Sequence, residues 1–379
     1  MSTATAPPPE PSASAAPPKM ASSSSSSSAS VFPPIPGPLQ RLFDLVPLIT
    51  YPANALPGDD ACGLDDSTEI SPLDLLPTLY VFIDPADAAQ GRASFNPTCL
   101  KWQTFLRFAD IPVRVVSSSN HASPTGALPF LQPARRRPST QPKTSRTTTI
   151  EPPLRPIPAH DFPTFVKKAA AECQSSSPNS SPIVIPSTLR DHPRAPAYQS
   201  LLDTSLRRAW LHAVYLDEAP ESKTGSIATR LYARAASTSY LVRSALSNQL
   251  RAAAAAEVWG SGQDSKDTPG ATAQIYRDAE AALLALSTIL ERSETDYFFG
   301  SAEPTLFDAA VFSYTHLLLE ESGGDGNANQ PTRFPWNNTV LPDMVRGHPQ
   351  LVQHRDRIVA RFWKAGSGGV SDSVIWVKV

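Results

Sequence analysis

The chain has 379 residues, 41 % of them apolar, enough for two ordinary domains and a real core. With 33 basic and 35 acidic residues the net charge is −2, so no global attraction draws it to nucleic acid and any electrostatic partner must meet a local patch. Three distant cysteines, Cys62, Cys99 and Cys173, share no metal-ligand or redox spacing and read as free thiols in a reducing compartment. No apolar run reaches the roughly 18 residues of a membrane-spanning helix, so any membrane location is expected to be peripheral.

Residues 1–38 are low-complexity, with Pro7-Pro8-Pro9 and a serine run at 22–28, and are expected to be a disordered tail. They hold neither the apolar stretch of a secretory signal nor the arginines of a mitochondrial presequence. Proline then divides the chain. Of 40 prolines, 33 precede residue 197 and seven follow it. Proline removes a backbone donor and breaks helix interiors, so long helices are expected only in the second half.

In the first half, residues 78–83 (Thr-Leu-Tyr-Val-Phe-Ile) predict a buried strand. Asn96-Pro97 reads as an N-cap followed by proline at the first helical position. The helix continues through Cys99, Trp102, Phe105, Leu106 and Ala109, at three- and four-residue spacing, until Ile111-Pro112 stops it. Val113 to Val116 form a second strand, giving the start of a βαβ unit. A turn containing Gly126 delivers Pro129 ahead of Phe130-Leu131, a third strand opened by proline. Residues 133–156 are a proline-rich, basic insertion, and 174–196 read as a further loop.

From Ala197 the pattern is helical. Leu201, Leu202, Leu206, Ala209, Trp210, Ala213 and Val214 form one apolar face. A helical tract is expected over 226–259, and another after Thr268-Pro269, carrying Ile275, Ala279, Ala282, Leu283, Leu286, Ile289 and Leu290. Thr305 and Asp308 are spaced as a capping box. They open a helix that is apolar on nearly every side, which belongs at the centre of a bundle. A last helix runs through Leu351, Val352, Arg355, Ile358 and Phe362.

This order resembles the glutathione-transferase fold: an α/β thioredoxin-like N-terminal domain followed by an all-α C-terminal domain. In that resemblance Pro129 matches the cis-proline, and Thr305 with Asp308 matches the N-capping box. The boundaries implied are a thioredoxin-like domain at 39–165 carrying the insertion 133–156, a linker at 166–196, a helical domain at 197–365 and a tail at 366–379. The segments 79–82, 96–106, 120–131 and 201–211 are most similar to metaxins, in particular to the smaller metaxin-like subunit of the fungal mitochondrial sorting and assembly machinery. The resemblance implies a non-catalytic, cofactor-free peripheral subunit on the cytosolic face of the mitochondrial outer membrane. Its implied partners are a BamA-type barrel subunit, a second metaxin-like subunit, the sorting signal of β-barrel precursors and the membrane surface, with no nucleic acid. A divergent glutathione transferase and a soluble metaxin-like adaptor are the alternatives.

The enzymes of this superfamily place a Tyr, Ser or Cys at the start of the first helix, where backbone N–H groups and the helix dipole activate a thiol. Here the candidates are Ser94, Thr98 and Cys99. A dipole-lowered Cys99 is weighed against a small buried residue, and burial is the commoner state of a free cysteine. Glutathione-binding relatives carry a Ser just after the third strand. Gln132-Pro133 stands there, and proline offers neither hydroxyl nor N–H. The seven histidines, His121, His160, His192, His212, His316, His348 and His354, show no zinc spacing, and there is no phosphate-binding glycine loop or Gly-x-Ser-x-Gly elbow. No catalytic or metal residue is therefore assigned. Trp102 and Trp210 are expected to anchor cores. Arg135, Arg136 and Arg137, with Lys143 and Arg146, form a basic patch before Glu151. It is a candidate contact for anionic lipid or an acidic partner, weighed against a solvated loop.

Overall fold

The computed structural model describes residues 76–134, 155–176, 183, 185–189, 192–217, 226–233, 236, 239–260, 270–320 and 333–363. They all fall within one compact unit, Ala55–Val379. The other unit, Met1–Asn54, lies outside the described residues, as do the expected tails 1–38 and 366–379.

Strand β1 (Thr78–Val81) leads through the short helix α1 (Pro85–Ala89) to helix α2 (Pro97–Phe108). Strand β2 (Arg114–Ser117) pairs parallel to β1, with Leu79 opposite Val115. Strand β3 (Phe130–Gln132) runs antiparallel to β1, with Leu79 opposite Leu131. Strand β4 (Ile157–Pro158) then pairs antiparallel with β3. The sheet order β2-β1-β3-β4, with one parallel and two antiparallel pairs, is that of a thioredoxin-like domain. The Leu128–Pro129 bond is cis, at the start of β3 where a missing N–H breaks no ladder bond. Asn120 Oδ1 holds the turn before it by accepting from the Leu128 N–H at 3.0 Å.

Helix α3 (Phe162–Ser176) corrects the expected linker at 166–196. Phe162, Val166 and Ala170 recur at four-residue spacing and are buried, and the Phe162 ring meets Trp102 edge-on at 5.4 Å. Sequence reading missed this helix because Lys167, Lys168 and Glu172 make its other face polar, so a single narrow stripe carries the signal.

The helical half opens with α4, continuous through Ala195–Leu201, the π-turn Leu202–Leu206, Arg207–Leu211 and the π-turn His212–Leu216. The expected tract over 226–259 is divided. A π-helical segment, Thr229–Ala233, precedes α5 (Tyr240–Trp259), and Ser239 between them is extended. Helix α6 (Ala271–Glu291) follows Gly270, whose φ of 84° is left-handed and suits glycine. Helices α7 (Leu306–Leu318), α8 (Val340–Arg346) and α9 (Pro349–Ile358, extended by the π-turn Val359–Trp363) complete the bundle.

One continuous core joins the two halves. Helix α2 packs on α7, and both are buried along almost their whole length. Trp102 and Trp210 are core residues, the latter edge-on to Tyr314, Phe334 and Trp336. Arg333 adds a polar clamp. It bonds Glu320 Oε1, the Ala93 carbonyl at 2.7 Å and Asp87 at 3.4 Å, tying the helical half to α1 and the loop after it.

Candidate functional site

Two helix N-termini carry the residues singled out by sequence. At α7 the capping box is complete. Thr305 Oγ1 accepts from the Asp308 N–H, and Asp308 Oδ2 accepts from the Thr305 N–H at 2.8 Å. Asp308 Oδ1 takes two further bonds, from the Phe298 N–H at 3.1 Å and from His354 Nε2 at 2.9 Å. The left-handed pair Phe299 (φ 60°) and Gly300 (φ 69°) turns the chain between Phe298 and the cap. Asp308 is completely buried, and His354 nearly so. His354 Nδ1 meets no partner, so the tautomer with hydrogen on Nε2 suits this geometry. The Thr305, Asp308 and His354 side chains form a packed, buried node.

At α2, Asn96 takes the cap position. Its Oδ1 accepts from the Cys99 N–H at 3.1 Å, and its Nδ2 donates to the Tyr232 hydroxyl at 3.1 Å. Tyr232 comes from the π-helical segment of the other half. Its ring lies edge-on to Phe82 (5.1 Å) and Phe95 (5.2 Å) and stacks on Tyr215 (5.9 Å). Burial pushes its phenol well above the ordinary tyrosine range, aided by the neighbouring Tyr215 hydroxyl. A neutral amide and a neutral phenol therefore cover the helix start.

The three candidate nucleophiles part company here. Cys99 is fully buried, and its thiol lies against the Phe82 backbone and the Ser94 hydroxyl. Burial pushes it up to about 12, far from thiolate at neutral pH. Ser94 is also fully buried, donating to the Phe82 carbonyl at 2.5 Å and accepting from the Asn96 N–H at 3.2 Å. Thr98 alone is exposed. It lines a cavity of about 40 Å³ with Lys101, Asp203, Arg207, Ser313 and Tyr314. That space holds a few waters, whereas pockets for small ligands run to about 300–1,000 Å³. Burial lowers the Lys101 ammonium, and Glu257 holds Arg207 above its ordinary range through a two-point bond.

Pro133 follows β3 as expected, with no donor to offer. Arg135, Arg136 and Arg137 lie outside the described residues. Among the described residues no group of His, Cys, Asp and Glu converges as a metal site, and no helix is long and apolar enough to cross a membrane. Sequence reading missed the Tyr232 and His354 partners. Both bonds link residues far apart in sequence, and neither residue belongs to a local motif.

Two domain families match the chain. The glutathione S-transferase N-terminal domain matches residues 97–147, and the glutathione S-transferase C-terminal domain matches residues 279–358. The chain has a glutathione-transferase-like fold. That assignment rests on the two domain matches and the sheet order. No curated protein matches the sequence. Similar solved structures include beta-etherase LigF from Sphingobium sp. strain SYK-6, at 13 % identity and a TM-score of 0.35, covering 75 % of this chain and 95 % of that one. A glutathione transferase family member from Pseudomonas fluorescens with two glutathiones bound has 11 % identity and a TM-score of 0.36, covering 77 % and 91 %. Glutathione transferase Omega 3C from Trametes versicolor has 11 % identity and a TM-score of 0.32, with the same coverages.

Proposed function

We propose that this protein is a non-catalytic, peripheral subunit of the mitochondrial outer-membrane sorting and assembly machinery, aiding the reception of β-barrel precursors. The reading starts from the metaxin-like segments at 79–82, 96–106, 120–131 and 201–211. The observation that carries it is the Asn96–Tyr232 bond. A transferase needs an open helix start with an ionisable thiol or hydroxyl aimed at it. Here an amide caps that start, a tyrosine from the other half covers it, and Cys99 and Ser94 are turned inward. Such a fold serves packing and partner contact.

Affinity purification from detergent-solubilised mitochondria tests the reading. A BamA-type barrel protein and a second metaxin-like subunit should co-purify, and alkaline carbonate should release the protein from membranes. Recovery as a free cytosolic monomer overturns it. Retention on immobilised glutathione, together with a conjugating activity lost in Cys99→Ala or Ser94→Ala, would favour a divergent transferase. A pull-down containing cytosolic or motor proteins and no barrel protein would favour a soluble adaptor.

A further inference from the structure

Helix α5 is held to the bundle by its C-terminal half. Ala254 and Val258 are buried, Arg208 donates to the Val258 carbonyl at 3.0 Å, and Trp259 lies edge-on to His212. Ser247 Oγ meets Thr229 Oγ1 at 2.5 Å. From Ser247 toward its N-terminus the helix continues for two turns, about 10 Å. It ends in Tyr240, Leu241 and Val242, which are 75 %, 77 % and 42 % exposed. These three supply half of the six large apolar side chains exposed among the described residues.

Their arrangement decides what they fit. Successive helical residues point about 100° apart, so three in a row clothe the tip around most of its circumference. A helix that docks in a protein groove instead shows apolar anchors repeating at three, four and seven residues. Counting on from Leu241, those places hold Ser244, Ala245 and Asn248. Behind Val242 stand the half-buried Leu246 and Leu250, but the two most exposed side chains, Tyr240 and Leu241, have no large apolar residue at these places, which suits a fluid interface better than a shaped groove.

Charge selects the kind of interface. From Lys223 to Ala256 the chain carries Lys223, Arg230, Arg234, Arg243 and Arg251, and no aspartate or glutamate, although the whole chain is slightly acidic. Arg243 and Arg251 sit one and three turns behind the tip on the same helix. The N-terminal end of α5 also presents the positive pole of its dipole. All three features favour anionic headgroups around an inserted tip.

We infer that the N-terminal tip of α5 inserts into the headgroup region of an anionic bilayer, with Tyr240, Leu241 and Val242 entering the interface and Arg243 meeting lipid phosphate. The inference rests on the peripheral-membrane element of the proposed function and on none of its protein partners.

Flotation of the purified full chain with vesicles tests it, using phosphatidylcholine alone or mixed with phosphatidylserine. The chain should float with the anionic vesicles and only weakly with the neutral ones. Leu241→Asp should cut binding about tenfold and Arg243→Gln about fivefold. Leu284→Asp, at another exposed leucine (57 %) on α6, should leave binding unchanged. Leu241 is exposed, so matching circular dichroism spectra certify the variant's fold. Failure of the unaltered chain to bind anionic vesicles overturns the inference. So does full binding by Leu241→Asp; if binding is lost instead in the combined Arg135→Gln, Arg136→Gln, Arg137→Gln variant, the lipid contact belongs to the basic insertion. Vesicle binding without barrel-protein co-purification leaves this inference standing and removes only the assembly reading.

Discussion

Helices α2 and α7 lie against each other at the centre of the molecule, and each begins with a side-chain cap, but the two caps keep different company. At α7 the cap is a carboxylate with four donors around it, two of them backbone N–H groups, and no access to water. At α2 the cap is a neutral amide with two partners, half-buried, beside a small polar cavity. A buried charge is tolerated only when its lone pairs are filled, so the α7 cap commits every neighbour to structure. The α2 cap asks for less. Its cover, Tyr232, is one side chain from the other half of the molecule.

The largest expected effect tests the first cap. Asp308→Ala removes the acceptor for the Thr305 N–H and hydroxyl, the Phe298 N–H and His354 Nε2 at once, and should cost about 3–5 kcal/mol in urea denaturation. A double-mutant cycle with His354→Ala should be non-additive, because the two side chains share one bond. Additive losses would show that the buried pair contributes nothing as a pair.

The second cap should be softer. Asn96→Ala should cost about 1 kcal/mol, and Tyr232→Phe about 0.5–1.5 kcal/mol, in the same assay. A loss at Asn96 matching that at Asp308 would erase the contrast. Tyr232→Ala should also open the helix start to solvent, read as faster hydrogen exchange at the Cys99 amide.

A further effect is confined to alkali. The Cys99 thiol has an ordinary value of 9.0 and is raised to about 12 in the fold. The unfolded chain therefore ionises first. Stability from this group is complete below pH 9 and is lost as pH rises toward 12. Cys99→Ala should flatten that part of the stability curve relative to the parent. Native Cys99 should also resist thiol reagents until the chain unfolds. Smallest of all, Thr98→Ala should change stability by no more than about 0.5 kcal/mol, since its hydroxyl is exposed.

Both caps were legible in the sequence, and their partners were not. Asn96-Pro97 and the Thr305/Asp308 spacing are local signals, because capping joins residues three apart. Tyr232 and His354 reach their targets from other elements, across 136 and 46 residues. Cys99 shows the same divide. Its place near a helix start left an activated thiol and a buried one both open. Only its complete enclosure, beside the Phe82 backbone and Ser94, decided for burial.

Sequence alone determined the β1-α2-β2-β3 order, the proline-opened third strand, the all-apolar central helix and the missing hydroxyl after Gln132. Each of these follows from backbone chemistry within a few residues. Tertiary structure decided the rest: the fourth strand, whose two residues carry too little pattern to read; helix α3, whose single apolar stripe finds its meaning against Trp102; and the break before α5 that leaves Tyr240, Leu241 and Val242 in solvent. It also decided that the Asn96 cap at the start of α2 is met by a tyrosine from the facing half. A chain's periodicity records which face is apolar, and only packing records what that face, or a lone polar atom, finally meets.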